Sequence, residues 1–248
     1  MARFWSMYAF HIRQYFKNSY FIWLVIISTL SLLMLKYLGA YSQGHFLSEK
    51  DVIISGVFGM WSSAVTSAGI LHFQRGQGVL VYLINSPTSS LINLLALISA
   101  PATFGLLAYP LAYLAAGFLN TFHFVNFDIQ SLLYILFLWI SSLSITYLIA
   151  ELFLLTKNAF VYEELLVTPV MILSGLFSIN FASEDIMRVL GHLVPITYPV
   201  QLLTGNPHFS VVSFLSWLFI LIVWFAAGCF IFRYLLIKIR IKGDVETM

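Results

Sequence analysis

Side chains able to do chemistry are few and scattered in this 248-residue sequence. Glu163 and Glu164 adjoin within an apolar run, and two neighbouring carboxylates could activate water for hydrolysis inside a membrane. Such a peptidase also needs an arginine about one turn further on, whereas the sequence continues Leu-Leu-Val-Thr. There is no His-Glu-x-x-His zinc helix. The six histidines, His11, His45, His72, His123, His192 and His208, are spread over the chain without ligand spacing and are expected to be interfacial or solvated. No Gly-x-x-x-x-Gly-Lys-Ser/Thr run occurs to cradle a phosphate. Cys229 is the single cysteine, so no disulfide framework exists within the chain. Glu151 remains. Acids inside a membrane mark function by default, but its place near one end of an apolar run predicts that it reaches water or pairs with Lys157 or Arg75. These residues predict no enzyme, no metal and no cofactor held by this chain.

The elements that would carry them are membrane spans. Of the sequence, 60% is hydrophobic and 9% charged, with a mean hydropathy of +0.93, against about 25% charged in soluble domains. A span takes roughly 20 apolar residues. Six stretches qualify: Tyr20 to Ala40, Val52 to Phe73, Leu91 to Leu119, Ile129 to Leu155, Leu165 to Phe181 and Val211 to Ile237. The expected fold class is an all-α polytopic membrane protein. Pro101 and Pro110 predict a kink in the long third span. The fifth is the shortest and is expected to stop before the outer surface or re-enter.

Positive charge sets the orientation. With the N-terminus cytoplasmic, Arg3, Arg13, Lys17, Arg75, Lys157, Arg233, Lys238, Arg240 and Lys242 face inward, while Lys36, Lys50 and Arg188 face outward. This bias predicts both termini inside. Residues 1–19 place Phe4, Trp5, Tyr8, Ile12, Tyr15 and Phe16 in one helical sector opposite Arg3, Ser6, Arg13, Gln14, Lys17 and Asn18, as expected of an interfacial helix on the inner leaflet. Residues 20–237 form one six-span domain, and 238–248 a basic cytoplasmic tail. Segment 180–210 is too long for a turn and too apolar for a free loop. Ser183, Glu184 and Asp185 predict the start of a short helix, which Pro195 and Pro199 then break. Such backbone is tolerated at membrane depth only when packed on protein or facing water.

Segment 74–87, "QRGQGVLVYLINSP", interrupts the apolar pattern with a basic residue, two glutamines and two glycines. Gly76 and Gly78 permit a sharp exit from the second span, Val79 to Ile84 form a short apolar ridge, and Ser86-Pro87 end it. The segment resembles the cytoplasmic coupling helix of type-2 ATP-binding-cassette exporter permeases, the ABC-2 family, in Arg75, Gly78, Leu80, Leu83, Ser86 and Pro87. Downstream, Pro169, Ser174, Gly175 and Phe177 resemble that family's Pro…Ser-Gly-aromatic element, and Pro195, Thr197 and Tyr198 its Pro-x-Thr-Tyr element. Their order covers nearly the whole chain. Departures are Gln74 where glutamate is usual, Val79 for threonine and Ser178 for proline.

The resemblance implies an ABC-2 exporter fold, with outer re-entrant helices before the last span, in the cell membrane. It implies the permease subunit of an ATP-driven exporter, paired with a second permease copy or a sister permease and with a separate P-loop ATPase that holds ATP and Mg. Contacts to that ATPase fall on Gln74, Arg75, Gly76, Gln77, Gly78, Val79, Leu80, Tyr82 and Leu83. Pro169, Ser174, Gly175 and Phe177 fall at the dimer interface or transport path, with Gly175 expected to permit close helix approach. The charge-poor spans suit a hydrophobic or amphipathic cargo such as a drug, an antimicrobial peptide or a lipid-like product. Membrane lipid is the remaining partner, and no nucleic acid is expected. A polysaccharide or lipid-linked glycan exporter, or a channel or scaffold without ATP, is the alternative. An ion-coupled carrier needs mid-membrane ionisable groups, which these spans lack.

Overall fold

The computed structural model describes residues 2–79, 82, 85, 89–120, 129–155, 168–176, 190–205 and 209–242. Among them there is no strand. The elements are α1 (Ala2–Phe16), α2 (Ser19–Ser42), α3 (Glu49–Gly76), α4 (Ser90–Ala102), a 3₁₀ turn (Thr103–Leu107), α5 (Ala108–Leu119), α6 (Gln130–Leu155), α7 (Thr197–Leu203) and α8 (Val211–Lys242). Five segments are long and apolar enough to cross a membrane: α2, α3, α4 with α5, α6, and α8 up to Ile237. The chain is a helical membrane protein. The predicted span 165–181 is described only in part. Residues 168–173 are helical and the helix stops at Ser174 and Gly175.

Helix ends extend beyond the apolar runs because polar residues cap them. Asn18 accepts from the Tyr20 N–H before α2. Ser48 and Asp51 form a reciprocal capping box at the start of α3. The neighbouring ends of α2, α3 and α5 are then tied together. Lys36 pairs with Asp51 at 3.4 Å, and the Asn120 side chain accepts from the Leu47 N–H and donates to the Leu47 carbonyl.

α3 is the central post. Val52, Met60, Trp61, Ala68 and Leu71 along it are buried, with α2, α4, α5 and α6 around it. Gly59 lets α2 and α5 close in, since a Cβ there would collide with the Thr29 Oγ1 and lie 2.9 Å from the Ala108 Cβ. By contrast α8 turns most of its surface outward, including Val212, Phe219 and Phe230. In a bilayer that surface meets lipid or another chain.

The kink expected in the third span is a break. Pro101 removes a backbone donor, and after Ala102 the helix tightens into the 3₁₀ turn at Thr103–Leu107. Ser63 of α3 donates to the Pro101 carbonyl at 3.2 Å, and Thr103 donates back to Ser99 at 2.7 Å. Pro110 causes no second break because it lies in the first turn of α5, where an N–H has no helical partner to lose.

α1 lies against the bundle. It packs on α4, and the Tyr8 hydroxyl meets the Thr103 hydroxyl at 2.6 Å, about halfway along the third span. The side chains turned inward are Phe4, Tyr8, His11, Ile12 and Tyr15, while Trp5, Phe10 and Phe16 are exposed. His11, expected at an interface, is therefore buried. Burial lowers its pKa, with Gln14 opposing.

Candidate functional site

The C-terminal end of α3 closes as a Schellman motif. Gly78 takes φ +70°, its N–H bonds the Arg75 carbonyl, and the Val79 N–H reaches back to the Gln74 carbonyl, both at 3.0 Å. Left-handed backbone costs an L side chain roughly 1–2 kcal/mol, which explains the glycine. The turn expected at both glycines belongs to Gly78 alone. Gly76 is the last helical residue, with ordinary backbone. Gln77, Gly78, Val79 and Tyr82 are exposed, whereas Arg75 and Gln74 are half-buried. Gln74 faces the Tyr15 hydroxyl of α1, whose pKa burial pushes up to about 12 while Gln74 opposes it. Tyr82 donates its N–H to the Val79 carbonyl at 3.0 Å and leaves its side chain 78% exposed. Leu80, Leu83, Ser86 and Pro87 lie outside the described residues.

Elsewhere the structure joins two of the sequence elements. Leu173, in the helix before Ser174, meets Gly191: a Cβ on Gly191 would lie 2.7 Å from the Leu173 carbonyl oxygen. Thr197 donates its hydroxyl to the Gly191 carbonyl at 2.6 Å. Within the chain, close approach falls on Gly191, while Gly175 has no described residue within 4 Å of a Cβ position and takes φ +74° at the end of the helix. Ser174 is buried and donates to the Met171 carbonyl, while Pro169 is exposed. Phe177 and the helix start expected at Ser183 lie outside the described residues. Pro199 does not break the chain. It sits within the first turn of α7, where proline is tolerated.

Two tryptophans of α8 fix this segment. The Trp217 indole N–H donates to the Pro195 carbonyl at 3.0 Å and to the Ser141 hydroxyl at 2.9 Å, and that of Trp224 to the Leu193 carbonyl at 2.9 Å. Trp224 lies midway along Val211–Ile237, about 20 Å of helix from Val211. The backbone at Leu193 therefore sits well along α8 from its Val211 end, and Val194, Ile196 and Val200 are buried there against the chain. Tyr198 is half-buried, its ring centroid 6.1 Å from that of Trp217. Irregular backbone at this depth meets its requirement by packing on protein. No periodicity in the sequence announces the two indole bonds. We expect Gly191→Ala to weaken the folded chain more than Gly175→Ala, because the first must displace backbone while the second costs about 1–2 kcal/mol of left-handed strain. Detergent-resistance midpoints of the two variants, compared side by side, test this order.

Glu151 is not at a surface. It is fully buried on α6, and neither carboxylate oxygen has a hydrogen-bond partner among the described residues. Lys157, one of its two expected partners, lies outside those residues, and neither the other, Arg75, nor any further described residue hydrogen-bonds the carboxylate.

No family model matches the sequence, and neither a curated protein nor a solved structure matches the chain.

Proposed function

We propose that the chain is the membrane-spanning permease subunit of an ATP-driven exporter in the cell membrane, with both termini cytoplasmic. It moves a hydrophobic or amphipathic substrate outward and works with a second permease copy or a sister permease, and with a P-loop ATPase that binds ATP and Mg. The observation that carries this reading is the end of α3. A helix packed at the centre of the chain stops at Gly78 and passes directly into a segment with the apolar ridge and Arg-x-x-Gly pattern of a coupling helix, where Tyr82 projects a bare aromatic side chain. A push on that segment is delivered to α3 and through it to α2, α4, α5 and α6. The segment 190–205, packed on protein part-way down α8, agrees with the outer re-entrant element of such permeases.

Co-purification is the direct test. Affinity capture of the tagged chain from its native membrane in mild detergent should bring down a soluble P-loop ATPase in stoichiometric amount. A chain that runs alone, and whose transport survives loss of every such ATPase, sinks the reading.

Orientation has its own test. With Cys229 replaced, cysteines introduced at Lys50 and Glu184 should react with an impermeant maleimide on intact cells, and cysteines at Gln77 and Lys242 only after permeabilisation. Outside reactivity at Gln77 removes the coupling assignment.

A further inference from the structure

We propose that the aromatic cavity between α1, α4, α6 and α8 binds an organic cation, with Glu151 as its counter-ion. The cavity has a volume of about 280 Å³ and its walls include the rings of Phe4, Trp5, Tyr8, Trp139, Tyr147 and Phe225. Faces of aromatic rings carry negative potential and hold ammonium groups, most strongly where water is excluded. A purely apolar guest needs no more than such walls. What selects a cation is Tyr147 on those walls together with Glu151, which lies one turn of α6 behind it and is not itself part of the lining.

Tyr147 links the two. Its ring lines the cavity, stacks on Phe225 at 5.6 Å, and covers Gly228 of α8, where a Cβ would lie 2.6 Å from the ring. The same missing side chain leaves the Glu151 Oε2 3.8 Å from that Cβ position. Glu151 follows Tyr147 by one turn of α6, so ring and carboxylate share a face. Both groups are almost wholly buried and face each other, and no other described residue hydrogen-bonds the Tyr147 hydroxyl or either Glu151 oxygen. A carboxylate taken out of water demands a cation or a proton. Arg233, further toward the inner end of α8, makes no hydrogen bond to it. A guest that brings its own positive charge meets the rings and completes the acid in one event.

As an assignment of cargo, this rests on the exporter reading and narrows its substrate class to hydrophobic amines and quaternary ammonium compounds. As an assignment of a binding site, it concerns this chain alone. The probe is radiolabelled benzyltrimethylammonium, and its uncharged isostere neopentylbenzene is the competitor. The chain, reconstituted in nanodiscs of zwitterionic lipid, should bind the probe saturably with one site per chain above empty discs. Glu151→Gln should weaken binding at least tenfold. Trp139→Ala, which removes a ring and keeps the acid, should also weaken it, and provides the second variant should Glu151→Gln fail to fold. Neopentylbenzene should compete far less well than unlabelled probe. Absence of saturable binding, equal binding by Glu151→Gln, or equal competition by the uncharged isostere overturns the proposal. None of these outcomes bears on ATPase capture, so a failed cation site and a failed exporter reading are told apart.

Discussion

On the exporter reading proposed above, replacing Tyr82 with aspartate is expected to leave the chain inserted and folded while releasing the proposed ATPase subunit and abolishing export. Tyr82 follows the Gly78 turn and is 78% exposed, so little contact with the described residues is lost. Aromatic anchors at the centre of an interface carry at least about 2 kcal/mol each, roughly a thirty-fold weaker hold when removed. An aspartate adds a buried, unpaired charge to that loss. Leu80→Asp should act in the same direction, and Gln77→Ala, a rim position, should do little. The measurement is ATPase recovered per permease in affinity capture, alongside drug efflux. Full recovery and full efflux from the Tyr82→Asp variant would show that the ridge only rests on lipid.

Gly59→Leu is expected to prevent accumulation of folded protein altogether. The site is the crossing of α2, α3 and α5, where even one added carbon collides with Thr29 and crowds Ala108. Ordinary overpacking costs about 1–3 kcal/mol. Here two helices must separate from the central post, so the loss exceeds that range. Gly69→Leu on the same helix is the control, since nothing lies within 4 Å of its Cβ position. Monodisperse protein recovered after detergent extraction is the readout. Similar yields from the two variants would mean that α2 and α5 do not approach α3 as described.

Hydropathy located the five described spans closely because a membrane helix is written in contiguous residues. Val52 to Phe73 became Glu49–Gly76 only through the capping box at one end and the Schellman turn at the other, both built from polar residues that a hydropathy window discounts. Gly78 was also legible, as glycine before an apolar ridge reads locally. Other features were not. Whether Gly175 or Gly191 carries the close approach depends on where Leu173 lies, eighteen residues before the second of them. Glu151 was expected to reach water, Lys157 or Arg75, because distance from a span end says nothing about which neighbours cover it. The bonds from Trp217 and Trp224 join positions 22 and 31 residues apart. Pairings of this kind arise from tertiary packing, and the local pattern is silent about them.

Those two indole bonds also impose an order of assembly. Residues 190–205 emerge from the ribosome before α8, yet among the described residues the side-chain donors to the carbonyls of Leu193 and Pro195 are Trp224 and Trp217. Unpaired backbone in hydrocarbon costs several kcal/mol per group, so this stretch has no stable resting place in the bilayer until the last helix arrives. During biogenesis it must wait at the outer interface, or in the shelter of the insertion machinery, and then be drawn down as α8 docks. The final helix, whose surface is mostly turned away from the bundle, thereby acts as the clasp that closes it. A nascent chain halted between positions 205 and 211 would expose a segment open to surface proteases that the finished chain protects.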